Sequence, residues 1–241
     1  MENFTFAGPF GALECIVEKN RGNRNAVLVM VHGFRGSRDG GGRAAGVAYK
    51  AAAYADVVRF NFTGTQIITC QVEEIKSVLR QIRLLQPDCK LFLLGRSLGG
   101  AASVIAASQE QNLSGLILWA APNDLRATFR HVMNVEDYER LDRGETLFFC
   151  DERGECILTP DFLKDFDKYN LSKCLCSIKN LPVLILHCQD DEIVLAEQAK
   201  RNAEVLQDKG TLHVFPNGDH SFTQYSETAG SLIADWLKMQ L

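Results

Sequence analysis

From residue 26 onward the sequence alternates between two kinds of segment, and this alternation constrains the fold more than any other feature. Short apolar, largely β-branched runs stand at Ala26–Val31, Val57–Phe62, Leu91–Leu94, Leu116–Trp119, Val183–Leu186 and Thr211–Phe215. Helical patterns lie between them. Ala44–Ala55 is alanine-rich. Val72, Ile75, Leu79, Ile82 and Leu85 recur at steps of three and four and stop before Pro87. Leu98–Gln109 is a run of small residues, Leu195–Gln207 follows later, and Leu232–Leu237 lies in a last helix. Strands that are apolar throughout must be covered on both faces, so the pattern predicts a mostly parallel sheet with helices on either side. Asn3–Phe6 and Ala12–Glu18, separated by Gly8-Pro9-Phe10-Gly11, read as a hairpin added at one edge, which makes eight strands.

One stretch breaks the rhythm. Residues 122–181 hold 21 of the 56 charged residues in this 241-residue chain. A segment that polar does not form a βαβ unit of a core. It reads as an insertion after the sixth strand, a lid over one end of the sheet, with a hairpin within Thr146–Leu158 and a helix over Pro160–Tyr169. The expected organisation is a main domain of residues 1–121 and 182–241 and a lid of residues 122–181.

Composition sets outer bounds. Hydrophobic residues make up 46% of the chain, enough for a large buried core. The net charge of -4 disfavours a nucleic-acid partner, which selects for basic faces. No apolar run approaches the ~18 residues that span a bilayer, and Met1–Thr5 carries no basic or apolar leader pattern. The expectation is a cytoplasmic protein with no membrane partner, for which a homodimer is an allowed state. The eight cysteines are scattered and read as free thiols. Cys150 and Cys156 flank a turn read at residues 151–155 and are placed to face each other across it. Cys174-Leu175-Cys176 lacks a nearby histidine and makes a poor zinc site, so no metal is expected.

The chemistry is concentrated in a few motifs. Gly95-Arg96-Ser97-Leu98-Gly99 directly follows a strand and opens a helix. That context turns a G-x-S-x-G match into a nucleophile elbow, a sharp turn that presents the Ser97 hydroxyl clear of its neighbours. The same run lacks the lysine and the longer spacing of a phosphate-binding loop. A serine hydroxyl needs a base, and the base needs an acid to orient it. After an elbow of this kind the acid and then the histidine follow in chain order. His220 sits in the turn-rich Pro216-Asn217-Gly218-Asp219-His220-Ser221, just past the last strand, and is the expected base. His187 and His213 fall within strand patterns and read as core or sheet-end residues, and His131 lies in the insertion. The acid is expected in Cys188-Gln189-Asp190-Asp191-Glu192, with Asp191 preferred and Asp190 the alternative. Asp219 reads as a residue that shapes its loop. Oxyanion stabilisation needs two N–H donors. Leu98 follows the nucleophile, and Phe34 follows His32-Gly33 after the strand at residues 26–31. His32 reads as structural, and Gly36–Arg43 as a solvated loop leading into a helix.

Taken in this order, His32-Gly33-Phe34, Gly95–Gly99, the His187…Asp191…Val194 run and Gly218-Asp219-His220 resemble the α/β-hydrolase superfamily across essentially the whole chain. The resemblance is greatest to small bacterial carboxylesterases, cinnamoyl (feruloyl) esterases and serine-aminopeptidase-like hydrolases. Such relatives commonly have Gly where Cys188 stands, and an Asp-Phe-Arg-Gly-like arm where this chain has Asn61-Phe62-Thr63-Gly64. The resemblance implies Ser97 as nucleophile, Asp191 as acid, His220 as base, and Phe34 with Leu98 as oxyanion donors. It implies a serine esterase acting on a small-molecule ester of a small or aryl acyl group, with no cofactor. A thioesterase or a serine peptidase would share all of these residues, and a non-catalytic binding protein on the same fold is a further alternative. Phe129, Tyr138, Phe148, Phe149, Phe162, Phe166 and Tyr169 of the insertion are candidates to line an acyl pocket, or else to pin the insertion to the body.

Overall fold

The computed structural model describes residues 2–22, 25–64, 66–152, 154–178 and 180–241. Eight strands form one sheet: β1 (Glu2–Ala7), β2 (Ala12–Glu18), β3 (Ala26–Val31), β4 (Asp56–Phe60), β5 (Lys90–Arg96), β6 (Gly115–Trp119), β9 (Val183–Cys188) and β10 (Gly210–Phe215). A separate hairpin pairs β7 (Leu147–Asp151) with β8 (Gly154–Leu158). The sheet order is β1-β2-β4-β3-β5-β6-β9-β10, parallel from β4 to β10, with the antiparallel β1–β2 hairpin at one edge.

Every residue of β3, β6 and β9 is buried, which is why these strands read as unbroken apolar runs. Their side chains point alternately into two cores. Val27, Val29, Leu93, Leu116 and Ile185 face α2 (Ile68–Leu85), α3 (Leu98–Gln109) and α8 (Ala196–Leu206). Leu28, Phe92, Ile117 and Leu184 face α1 (Arg43–Ala51) and the last helix, α9 (Ser226–Gln240). α9 contributes Ile233, Trp236 and Leu237 at helical spacing.

Among the described residues, the segment between β6 and β9 contains four helices besides its hairpin: α4 (Leu125–Val132), α5 (Val135–Asp142), α6 (Asp161–Phe166) and α7 (Leu171–Ser177). Only α6 and the hairpin are apparent in the sequence. Asp124, Asn134 and Asn170 cap α4, α5 and α7 by accepting from Ala127, Asp137 and Lys173 N–H. Phe129, Tyr138, Phe162 and Phe166 are buried in the same apolar cluster as β3 and α3, so the segment packs continuously onto the body.

β4 lies on one side of β3 and β5 on the other. The chain therefore reverses direction across the sheet at β3/β5, and the carboxyl ends of these two strands flank the crevice where open α/β sheets place ligands.

Candidate active site

β5 ends at Arg96 and α3 begins at Leu98, leaving Ser97 alone in the turn with φ 53° and ψ -127°. A sparsely populated positive-φ backbone of this kind costs a non-glycine residue on the order of 1–3 kcal/mol. Packing enforces it here, because the Ser97 N–H donates to Trp119 O at 2.9 Å. The turn is also crowded from the β3 side. A Cβ on Gly99 would stand 2.2 Å from His32 O, and one on Gly33 would stand 2.9 Å from Ser97 Cβ. Only glycine at these two positions lets the loop after β3 close over the elbow.

That loop is a tight turn closed by Gly36 N–H to Gly33 O at 3.0 Å. Phe34 occupies its second position, whose N–H the closing bond does not use. Arg35 occupies its third with φ 50°, a position where turns of this shape favour Gly or Asn. Leu98 opens α3, so its N–H has no intrahelical acceptor. His32 buttresses the loop. Its Nε2 accepts from Phe62 N–H at 3.3 Å while Nδ1 donates to Gly33 O at 2.9 Å. Burial holds its pKa below the usual histidine value, and the neutral ring fits this donor–acceptor pair.

Asp191 follows β9 and is buried, with Oδ1 accepting from Ile193 and Val194 N–H at 2.9 and 2.8 Å. Its two carboxylate oxygens lie 2.9 and 2.8 Å from His220 Nδ1. His220 Nε2 is in turn 3.1 Å from Ser97 Oγ. With Nδ1–H directed at the carboxylate, the Nε2 lone pair faces the serine hydroxyl. The loop carrying His220 is held on both sides, by Arg96 donating to His220 O at 2.9 Å and by His220 N–H donating to Glu192 Oε2 at 3.2 Å.

Solved structures show the same architecture over the whole chain. Est1E from Butyrivibrio proteoclasticus superposes with a TM-score of 0.85 at 16% identity, covering 100% of this chain and 99% of its own. Est1E with ferulic acid bound gives 0.81 at 16%, covering 98% of each chain. The esterase domain of a Rhodothermus marinus protein gives 0.77 at 19%, covering 99% and 98%. The chain has the α/β-hydrolase fold. No family model matches it, and no curated protein does.

Within this fold the structure brings Ser97, Asp191, His220, Phe34 and Leu98 to one end of the sheet. Asp190, the alternative acid, is exposed, whereas Asp191 is buried against His220 Nδ1. Asp219 turns away from the imidazole and accepts from Thr223 N–H at 2.8 Å and Thr223 Oγ at 2.6 Å, which keeps its carboxyl below the usual range. Ser97, Leu98, Phe34 and His220 open into a cavity of about 1000 Å³. Val132, Met133 and Leu158 add apolar wall, and Arg43, Arg96 and Glu192 line its polar side. Of the seven candidate aromatics in the insertion, Phe129 and Phe149 reach the cavity. Phe148 is 74% exposed, and Tyr138, Phe162 and Phe166 serve packing.

Sequence reasoning missed three contributors. Arg96 is the variable residue of the elbow motif, and its guanidinium also lies over Trp119, 5.7 Å from the ring centroid. Glu192 was visible only as a third carboxylate beside the acid. His187 lies directly behind Asp191. The two flanking cysteines need a correction. The hairpin pairs Phe149 with Cys156 and Cys150 with Glu155, so Cys150 and Cys156 alternate onto opposite faces. The strands pair as far as Asp151 and Gly154, inside the expected turn of residues 151–155, and Arg153 lies outside the described residues. Each of the eight cysteines lies among the described residues, and none is in a disulfide.

Proposed function

We propose that the protein is a serine hydrolase that cleaves carboxylic esters of small or aryl acyl groups through an acyl-enzyme. The observation that carries this reading is the unbroken hydrogen-bond path from Asp191 through His220 to Ser97, ending at the cavity. Ser97 Oγ attacks the ester carbonyl as His220 Nε2 takes its proton. Asp191 fixes the ring in the tautomer that leaves Nε2 free and stabilises the imidazolium. Phe34 and Leu98 N–H receive the developing oxyanion, each such donor contributing about 3–4 kcal/mol to the barrier reduction. His220 then protonates the leaving alkoxide and activates a water that releases the acid. None of these steps calls for a metal or a cofactor.

Two features support acyl groups up to aryl size. The cavity lies at the upper end of the ~300–1,000 Å³ range of small-molecule sites, and Phe34, Phe129 and Phe149 give it aromatic walls. Est1E binds ferulic acid, an aryl acid, on the same fold. Residues 122–181 act as a lid that forms much of this wall, over a catalytic domain of residues 1–121 and 182–241.

The test is Ser97→Ala. Hydrolysis of p-nitrophenyl acetate is lost while the circular dichroism spectrum is kept, and a fluorophosphonate probe labels the wild type alone. Retained turnover in Ser97→Ala overturns the reading. A panel of matched oxygen esters, thioesters and peptides then assigns the leaving group.

A further inference from the structure

The turn that carries Phe34 N–H is gripped by the insertion at two points. The Phe34 ring packs against Phe129 and Phe162, with centroids 5.3 and 5.5 Å away. The next residue, Arg35, reaches the tip of the β7–β8 hairpin. Its Nη1 and Nη2 donate to Asp151 Oδ2 and Oδ1, both at 2.7 Å, and Nη2 also donates to Gly154 O at 2.6 Å. Asp151 and Gly154 are the pair that closes the hairpin, so the guanidinium clasps its end. Arg35 is only 11% exposed, while Asp151 remains 47% exposed.

From this geometry we infer that Asp151 is a positioning residue for the oxyanion hole, holding the Phe34 N–H in place through Arg35. The inference rests on the hydrolase reading of the site and extends it. Arg35 keeps a left-handed backbone that its side chain does not favour, at the position adjoining the Phe34 amide. A forked, charge-assisted pair fixes both the distance and the plane of the guanidinium, which a single contact would not do. The backbone to which that side chain is attached inherits the constraint. Preorganised donors work because they need no reorganisation when charge develops, so slack in this turn lowers the rate even for a substrate too small to touch the hairpin. On this account the insertion serves the chemical step as well as substrate fit.

The experiment compares wild type, Asp151→Asn and Asp151→Glu by two independent readouts. The first is kcat and KM for p-nitrophenyl acetate. We expect kcat to fall about tenfold in Asp151→Asn with KM changed less than about twofold, and Asp151→Glu to recover most of the loss. The second is hydrogen–deuterium exchange over residues 33–37, expected to be about tenfold faster in Asp151→Asn while the β-strands of the main sheet stay protected. An unchanged kcat, or a change confined to KM, overturns the proposal. Unchanged exchange in the turn overturns it as well. If the wild type hydrolyses no ester and takes no fluorophosphonate, the hydrolase reading fails by itself, and the exchange data still decide whether Asp151 holds the turn.

Discussion

His187 Nε2 lies 3.3 Å from Asp191 Oδ2, with both side chains sealed from solvent. The same nitrogen donates to Val194 O at 2.7 Å. Burial lowers the pKa of this ring, so it presents an N–H dipole to Asp191 and not a second positive charge. A cation at this place would compete with His220 for the carboxylate. The neutral His187 instead braces Asp191 from behind and fixes the carbonyl of the loop that bends around it.

Replacing His187 therefore affects two functions together. His187→Phe leaves the Val194 carbonyl buried without its donor, which costs about 1–3 kcal/mol of stability. It also loosens Asp191, and kcat/KM for p-nitrophenyl acetate is expected to fall about tenfold. His187→Gln keeps an N–H donor and is expected to retain more of both. Urea unfolding and steady-state kinetics on the two variants check this. Equal kinetics in wild type and His187→Phe would sink the bracing role.

The buried imidazoles also set a pH dependence of stability. Burial lowers the pKa of both His32 and His187 from 6.5. Once the chain unfolds, each ring takes up a proton near its ordinary value, while in the folded state it stays neutral to lower pH. Between about 6.5 and the folded values the unfolded state binds more protons, so stability falls as pH drops through that window. The urea midpoint is expected to be lower at about pH 5.5 than at about pH 7.5, and the difference to shrink in His187→Gln. A midpoint that does not move between these two conditions contradicts the assignment.

Gly33→Ala tests the closeness of the Gly33–Gly36 turn to Ser97. Its Cβ would lie 2.9 Å from Ser97 Cβ and 3.0 Å from Arg96 O, and the second of these is backbone that cannot swing away. The loop must retreat, taking the Phe34 N–H with it. A loss of about 10²-fold in kcat is expected, comparable to removing one oxyanion donor. Near-normal thermal unfolding would accompany it. An alanine variant with wild-type kcat would show that the loop does not act in the reaction.

Thiol labelling checks the burial pattern independently of activity. Cys150 and Cys176 are exposed, while Cys15 and Cys188 are buried and their pKa values are pushed up to about 12, chiefly by loss of solvation. A disulfide reagent at about pH 8 is expected to modify Cys150 and Cys176 first, and Cys15 and Cys188 only on unfolding. Peptide mapping after brief exposure reads the order directly. Fast modification of Cys188 would contradict the packing at the end of β9.

What could be read in the sequence followed the range of the forces involved. The elbow at Ser97 is local: a strand, a strained turn and a helix of small residues within about a dozen positions. Asp191 and His220 could be located because each follows its own strand, and the choice against Asp190 needed only knowledge of which carboxylate turns inward. The Arg35–Asp151 clasp joins residues 116 positions apart, and nothing in the neighbourhood of either announces the other. α4 and α5 were hidden because dense charge masks the apolar period, although their Asp124 and Asn134 caps were in plain view. The relation of Cys150 to Cys156 depended on hairpin register, where changing the turn length reassigns every pair.

β6 and β9 are parallel neighbours, so a chain leaving the top of β6 must return to the bottom of the sheet before β9 can begin. α7 makes that return, burying Leu171 and Leu175 beside α3 and α8. The stretch between the two strands is thus two pieces of architecture in series, a canopy and a staircase. The canopy, up to about the end of α6, carries both the cavity wall and the Asp151 end of the clasp on Arg35, so a new roof grafted there would have to keep that clasp. The staircase is common property of the sheet, and any truncation that removes it would leave β9 with no route to its place.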